Sequence, residues 1–244
     1  MRVDALAVHL RPRPMSEACD LGVLLVHHNA KSVWSCYAPV MLCVLVVALA
    51  TMEIAPWLPT VLIFWLKPWL DRTLLFVLSR AVFGEATRPR DLWAHRGPVW
   101  FGQLLSTLTL RRLSLWRTFT QPVYQLEGQR GSARRKRRNQ LLKGKRGAAM
   151  MLEFAFSNIE LVLSTGLIAV LIWFAPDSAR MDVMKWLGSS ESGVHHYVLL
   201  FAYAATVLFL EPFFVGAGFA MYLNRRVELE AWDIEQEFRR VFAR

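Results

Sequence analysis

The chain has 244 residues, 55% of them apolar, and a formal net charge of +10. That apolar share exceeds the roughly 45–50% of a soluble domain and points to a single membrane domain. Cys19, Cys36 and Cys43 are odd in number and show no CxxC spacing; neither a disulfide framework nor a zinc site is indicated, and they are expected to be small buried hydrophobes.

In chain order, residues 15–31 mix Met15, Ala18, Leu21, Leu24 and Leu25 with charges, the pattern of a helix lying on the inner membrane surface. The apolar run from Leu21 to Val26, between Asp20 and His27, is too short for a secretory leader, so no cleaved signal is expected. Residues 33–52 are almost uninterrupted apolar sequence, about 20 positions, enough to cross a hydrocarbon layer of roughly 30 Å. A second span is predicted over 57–83, roughly 40 Å of helix that crosses with tilt; its interior holds Lys67, Pro68, Asp71 and Arg72. Residues 98–110 are apolar over only about 13 positions, which fits an interfacial or re-entrant helix on the cytoplasmic side. A third span is predicted over 150–174 and a fourth over 196–223, interrupted at Pro212. Residues 224–244 then form a cytoplasmic amphipathic helix, with Val227, Ala231, Ile234, Phe238 and Val241 on its stripe and Glu228, Asp233, Glu235 and Glu237 elsewhere.

The charge sets the orientation. Between Gly84 and Arg146 there are 15 Lys or Arg against Glu85, Asp91 and Glu127, a local net of +12. The loop at 176–194 holds only Arg180 and Lys185 against Asp177, Asp182 and Glu191. The basic loop 84–146 therefore faces the cytoplasm, and an even number of crossings returns both termini there. Trp34, Trp57, Trp173 and Trp186 near the span ends fit an aromatic belt. The predicted fold is an all-α integral membrane domain of four spans with amphipathic or re-entrant helices on the cytoplasmic side.

Charged side chains inside spans are costly in hydrocarbon and are expected to face the bundle interior or a water-filled cavity. Glu153, Ser157, Glu160 and Ser164 recur at helical spacing on one face of the third span. Helical rise brings Glu160, Lys67, Asp71, Arg72 and Glu211 within roughly 10 Å of one another in depth. Lys67, Asp71, Arg72, Glu153, Glu160 and Glu211 are thus the candidate intramembrane cluster, either pairing for structure or lining a polar cavity. No nucleophile beside a histidine and no metal spacing accompanies them, so a catalytic site is not predicted. His27-His28 and His195-His196 fall on opposite membrane faces in this topology and do not form a metal site. The basic run Arg134, Arg135, Lys136, Arg137 and Arg138, continued by Lys143, Lys145 and Arg146, precedes a span. It reads as a topology determinant and a contact surface for anionic lipid or a protein partner rather than for nucleic acid.

The segment EPFFVGAGFAMYLNRRVELEAWDIEQEF from Glu211, together with SEACDLGVLLVHHNAKSVW from Ser16, resembles the two ends of the membrane domain that accompanies some bacterial glycerophosphodiester phosphodiesterases and related polytopic proteins. That resemblance implies a multi-pass protein of the bacterial inner membrane, without the phosphodiesterase barrel or its activity. The C-terminal segment is also similar to small inner-membrane proteins encoded beside MoxR-type ATPases and von Willebrand A-domain proteins, which implies an assembly role. The expected function is a non-enzymatic scaffold, needing no cofactor, whose basic loop and acidic C-terminal helix meet protein partners or anionic lipid. The alternative is a small transporter or lipid-binding protein that uses the intramembrane cluster.

Overall fold

The computed structural model describes residues 11–102, 104–109, 114–174 and 193–230. Among them all regular structure is helical. In chain order the helices are α1 (Met15–His28), α2 (Ala30–Ala50), α3 (Leu58–Ala81), α4 (Pro89–Ala94), a π-helical turn (Gly97–Phe101), α5 (Leu104–Leu108), α6 (Arg117–Thr120), α7 (Pro122–Gln125), α8 (Gly131–Leu142), α9 (Arg146–Trp173) and α10 (Gly193–Glu230). The helices α2, α9 and α10 are long and apolar enough to cross a membrane, which marks a membrane protein. Residues 1–10, most of the loop at 176–194, and the stripe residues Ala231, Ile234, Phe238 and Val241 with Asp233, Glu235 and Glu237 lie outside the described residues.

The centre of the molecule is α3. From Lys67 to Leu78 it is buried on nearly every side, including Lys67, Leu70, Asp71, Leu74, Leu75 and Leu78, while Val61, Phe64 and Trp65 in its first turns are exposed. Both α2 and α10 pack against it. A helix with charges at mid-length can sit here because its neighbours cover it. α10 continues through Pro212 without interruption over its 38 residues, against the break expected there. The amide hydrogen bond that proline cannot make is tolerated where packing holds the backbone on both sides, and Glu211, Phe214 and Val215 around it are buried.

The lead-in helix α1 does more than lie on a surface. Its Ala18, Gly22 and Val26, spaced four apart, are buried against α10. A Cβ on Gly22 would stand 2.3 Å from the Gly216 carbonyl oxygen, and one on Gly216 would meet Gly22 O at 2.8 Å. The two backbones cross at this pair of glycines, the close approach that small residues permit between helices. Asn224 of α10 fixes the chain entering α1: it donates to Arg13 O at 2.8 Å and accepts from Arg13 N–H at 2.9 Å.

α9 is attached differently. Only Ala149 and Leu152 of its 28 residues are buried, and it rests on α10. Met151, Phe154, Leu161 and Val162 are all exposed, an apolar face of the kind that lipid covers.

The basic segment 84–146 is not a simple loop. Trp69 Nε1 of α3 donates to Trp100 O at 3.1 Å, and Trp100 Nε1 donates to Thr73 Oγ1 at 3.0 Å, so the π-helical turn is clipped onto α3. α6 enters still deeper, against α10.

Candidate functional site

Lys67 lies near the middle of α3, Glu160 near the middle of α9 and Glu211 near the middle of α10. Lys67 Nζ stands 2.5 Å from Glu160 Oε2 and 2.9 Å from Glu211 Oε2. One ammonium thus joins three helices. Asp71, one turn beyond Lys67 on the same face, enters the network through Arg117. Arg117 Nη2 donates to Glu211 Oε1 at 2.7 Å, and Nε lies 3.2 Å from Asp71 Oδ2. The second contact is an ion pair without hydrogen-bond alignment. Lys67, Asp71, Arg117 and Glu211 are each no more than 5% exposed. Two cations therefore face three carboxylates in a nearly dry site, where pairing carries the cost of removing charge from water.

Lys67, Arg117, Glu160 and Glu211 of this network form one wall of a cavity of about 560 Å³. Glu153, Ser157, Glu160 and Ser164 from α9 line it, as their spacing predicted. Val61, Phe64, Phe156, Leu161 and Phe214 supply apolar surface. Among the described residues no three His, Cys, Asp or Glu side chains group as a metal-binding set.

Arg72 is not part of this network, contrary to expectation. Successive helix positions lie about 100° apart, so Lys67 and Asp71 share a face while Arg72 turns away. Its guanidinium donates to Pro98 O at 2.8 Å, to Thr107 Oγ1 at 3.3 Å and to Gly102 O. Its own carbonyl accepts from Gln125 Nε2 at 2.7 Å. Arg72 therefore pins the segment from Pro98 to Thr107 onto α3. Arg72→Met keeps an unbranched apolar stem and loses every one of these donors. It is expected to speed hydrogen exchange across 97–108 by about tenfold or more while α10 keeps its protection, as loss of charge-assisted bonds predicts; unchanged exchange there rejects this role.

Arg117 is the residue that sequence reasoning missed. It was counted with the basic cytoplasmic loop, yet it is 3% exposed inside the bundle. The signal was present in LSLWRTFTQPVYQL, where Arg117 is the lone charge in an otherwise apolar and hydroxyl-rich stretch.

The basic run divides by role. Arg135, Lys136, Lys143 and Arg146 are exposed. Arg137 donates to both Glu127 oxygens, at 2.9 Å and 3.0 Å, and also to Glu230. The hydrogen bonds to Glu127, then that to Glu230, raise its guanidinium above its ordinary pKa. Lys145 lies 2.9 Å from Glu228, while Arg225 donates to Leu141 O at 3.2 Å and Lys143 O at 2.8 Å. Tyr222 adds a 2.6 Å bond to Glu127. Two residues expected to meet a partner, Arg137 and Lys145, instead strap α8 and the start of α9 onto the acidic end of α10.

No protein-family model matches the chain, and no curated protein or solved structure matches it either.

Proposed function

We propose that this chain is a four-span protein of the bacterial inner membrane, with both termini in the cytoplasm, that binds an amphiphile bearing an amine in the cavity between α3, α9 and α10. α3 supplies the fourth span, its charges shielded by α2 and α10. The bacterial setting rests on the resemblance of the two end segments. The observation that carries the binding role is the composition of the cavity wall: the cations Lys67 and Arg117 against the carboxylates Glu153, Glu160 and Glu211, with buried Asp71 behind Arg117. Apolar side chains line the rest. An ammonium group on an otherwise apolar ligand offsets the carboxylate excess and buries its tail against Val61, Phe64 and Phe214. Lipid-exposed α9 forms one side of the cavity, so such a ligand can enter from the bilayer.

Glu160→Gln tests this binding role. The variant removes one carboxylate and leaves Lys67 paired with Glu211, so the fold is kept. Lipids co-purified with the wild-type protein are expected to include an enriched amine-bearing species. Its affinity is expected to fall about tenfold or more in the variant, the scale of one hydrogen bond to a charged group. An identical lipid complement in both proteins rejects the cavity as a ligand site.

A second role is favoured by the four side chains of the basic run at 134–146 that are exposed: Arg135, Lys136, Lys143 and Arg146 form a cytoplasmic platform for anionic lipid or an acidic protein partner, as a scaffold requires.

A further inference from the structure

A second, smaller cavity of about 250 Å³ opens on the other side of Arg117. It is bounded by Ser114, Arg117, Thr120, Tyr124, Arg134 and Arg138. We propose that this pocket binds a phosphate group, held by the guanidinium groups of Arg117, Arg134 and Arg138. The inference is independent of the amine-binding cavity, with which the pocket shares only the Arg117 side chain.

Among the described residues the lining contains three arginines and no carboxylate. Arg134 and Arg138 are four residues apart on α8, on the same face, where like charges repel and destabilise a helix. Neither has an acidic partner among the described residues, whereas Arg137 on the neighbouring face is taken up by Glu127 and Glu230. The Nε of Arg138 is buried without a hydrogen-bond partner. So is Nη1 of Arg117, a side chain 3% exposed whose remaining nitrogens face Asp71 and Glu211. Buried donors without acceptors are rare in folded proteins and each is costly.

A tetrahedral oxyanion answers all of these features at once. Its oxygens accept from planar guanidinium forks, and its charge relieves the Arg134–Arg138 repulsion. The charge of Arg117 is already matched by its two carboxylates, so attraction comes from Arg134 and Arg138 while Arg117 contributes a donor. Ser114 keeps its hydroxyl proton to donate, because its oxygen accepts from the Trp116 N–H at 3.4 Å. The Thr120 hydroxyl already donates to Trp116 O at 2.7 Å and acts as wall. The cavity is smaller than the roughly 300–1,000 Å³ of drug-sized ligand sites, a size suited to a phosphate group rather than a large solute. That group is supplied by a phosphomonoester lipid head at the membrane face or by free inorganic phosphate.

The experiment uses the full chain in uncharged detergent. Inorganic phosphate, short-chain phosphatidic acid and the matching diacylglycerol are titrated separately while thermal midpoint and bound mass are followed. Saturable one-to-one binding of a phosphate-bearing probe, and none of diacylglycerol, is expected. Binding of both inorganic phosphate and phosphatidic acid assigns a site for the free ion, and binding of phosphatidic acid alone assigns a lipid-head site. Arg134→Gln/Arg138→Gln is expected to weaken binding about 100-fold, from the loss of two charged donors. Arg90→Gln/Arg96→Gln removes equal charge at two exposed positions outside both the pocket and the basic platform and is expected to change affinity by no more than about threefold. Arg138→Lys keeps the charge and loses the fork, for about tenfold; it serves as the reporter if the double variant unfolds. Equal weakening by the two double variants shows diffuse surface attraction and overturns the pocket, as does the absence of saturable binding to any phosphate probe.

Discussion

Arg117→Met is expected to destabilise the folded protein by about 3–5 kcal/mol, the cost of removing one partner from buried ion pairs. Asp71 and Glu211 then share a nearly dry site with Lys67 alone, and Lys67 is already committed to Glu160 and Glu211. Asp71 suffers most, since its carboxylate accepts no hydrogen bond among the described residues and depends on the charge of Arg117. Unfolding by denaturing detergent, followed by the loss of helical signal, gives the difference. The double variant Arg117→Met/Asp71→Asn is expected to recover part of it, with a coupling of about 1–3 kcal/mol between the two sites. A single variant within about 0.5 kcal/mol of the wild type shows that water or another cation serves Asp71, and the network described here is then wrong.

Adding one methyl group at the crossing of α1 and α10 is expected to cost about 1–3 kcal/mol. In Gly22→Ala the new carbon falls 2.3 Å from Gly216 O and 2.6 Å from Gly216 C, both backbone atoms that cannot rotate away. The helices must separate, which also pulls Val26 from its seat. Gly166→Ala supplies the control. Nothing lies within 4 Å of a Cβ there, so the exchange is expected to be neutral or to stabilise by up to about 1 kcal/mol through helix propensity. Measured by the same unfolding assay, equal effects at the two glycines reject the close crossing.

The long helices were legible in the sequence because apolar length dominates their formation. The first span, predicted over 33–52, is α2 (Ala30–Ala50), and the third, predicted over 150–174, is α9 (Arg146–Trp173). The inward stripe of Glu153, Ser157, Glu160 and Ser164 was legible for the same reason: helical period alone fixes which side chains share a face. Arg72 illustrates the limit of reasoning from depth alone, for it lies at the right level but turns about 100° from Asp71. The roles of Arg117 and Arg137 were hidden by a counting rule. Summed charge orients a loop but does not tell a solvated arginine from one folded inward, and that distinction depends on acids far away in sequence, Glu211 and Glu230.

The separation along the chain has a consequence for biogenesis. Lys67 meets Glu160 from 93 positions away, and Arg117 meets Glu211 from 94. As the chain is made from its N-terminus, α3 emerges with Lys67 and Asp71 before Arg117, Glu160 and Glu211 exist to pair with them. Until those partners are made, the two side chains have only each other, one turn apart on the same face, as opposite charges. The complete network therefore waits for the last helix: a chain truncated before Glu211 retains the Lys67–Glu160 and Arg117–Asp71 pairs as two separate contacts, and only Glu211 joins them.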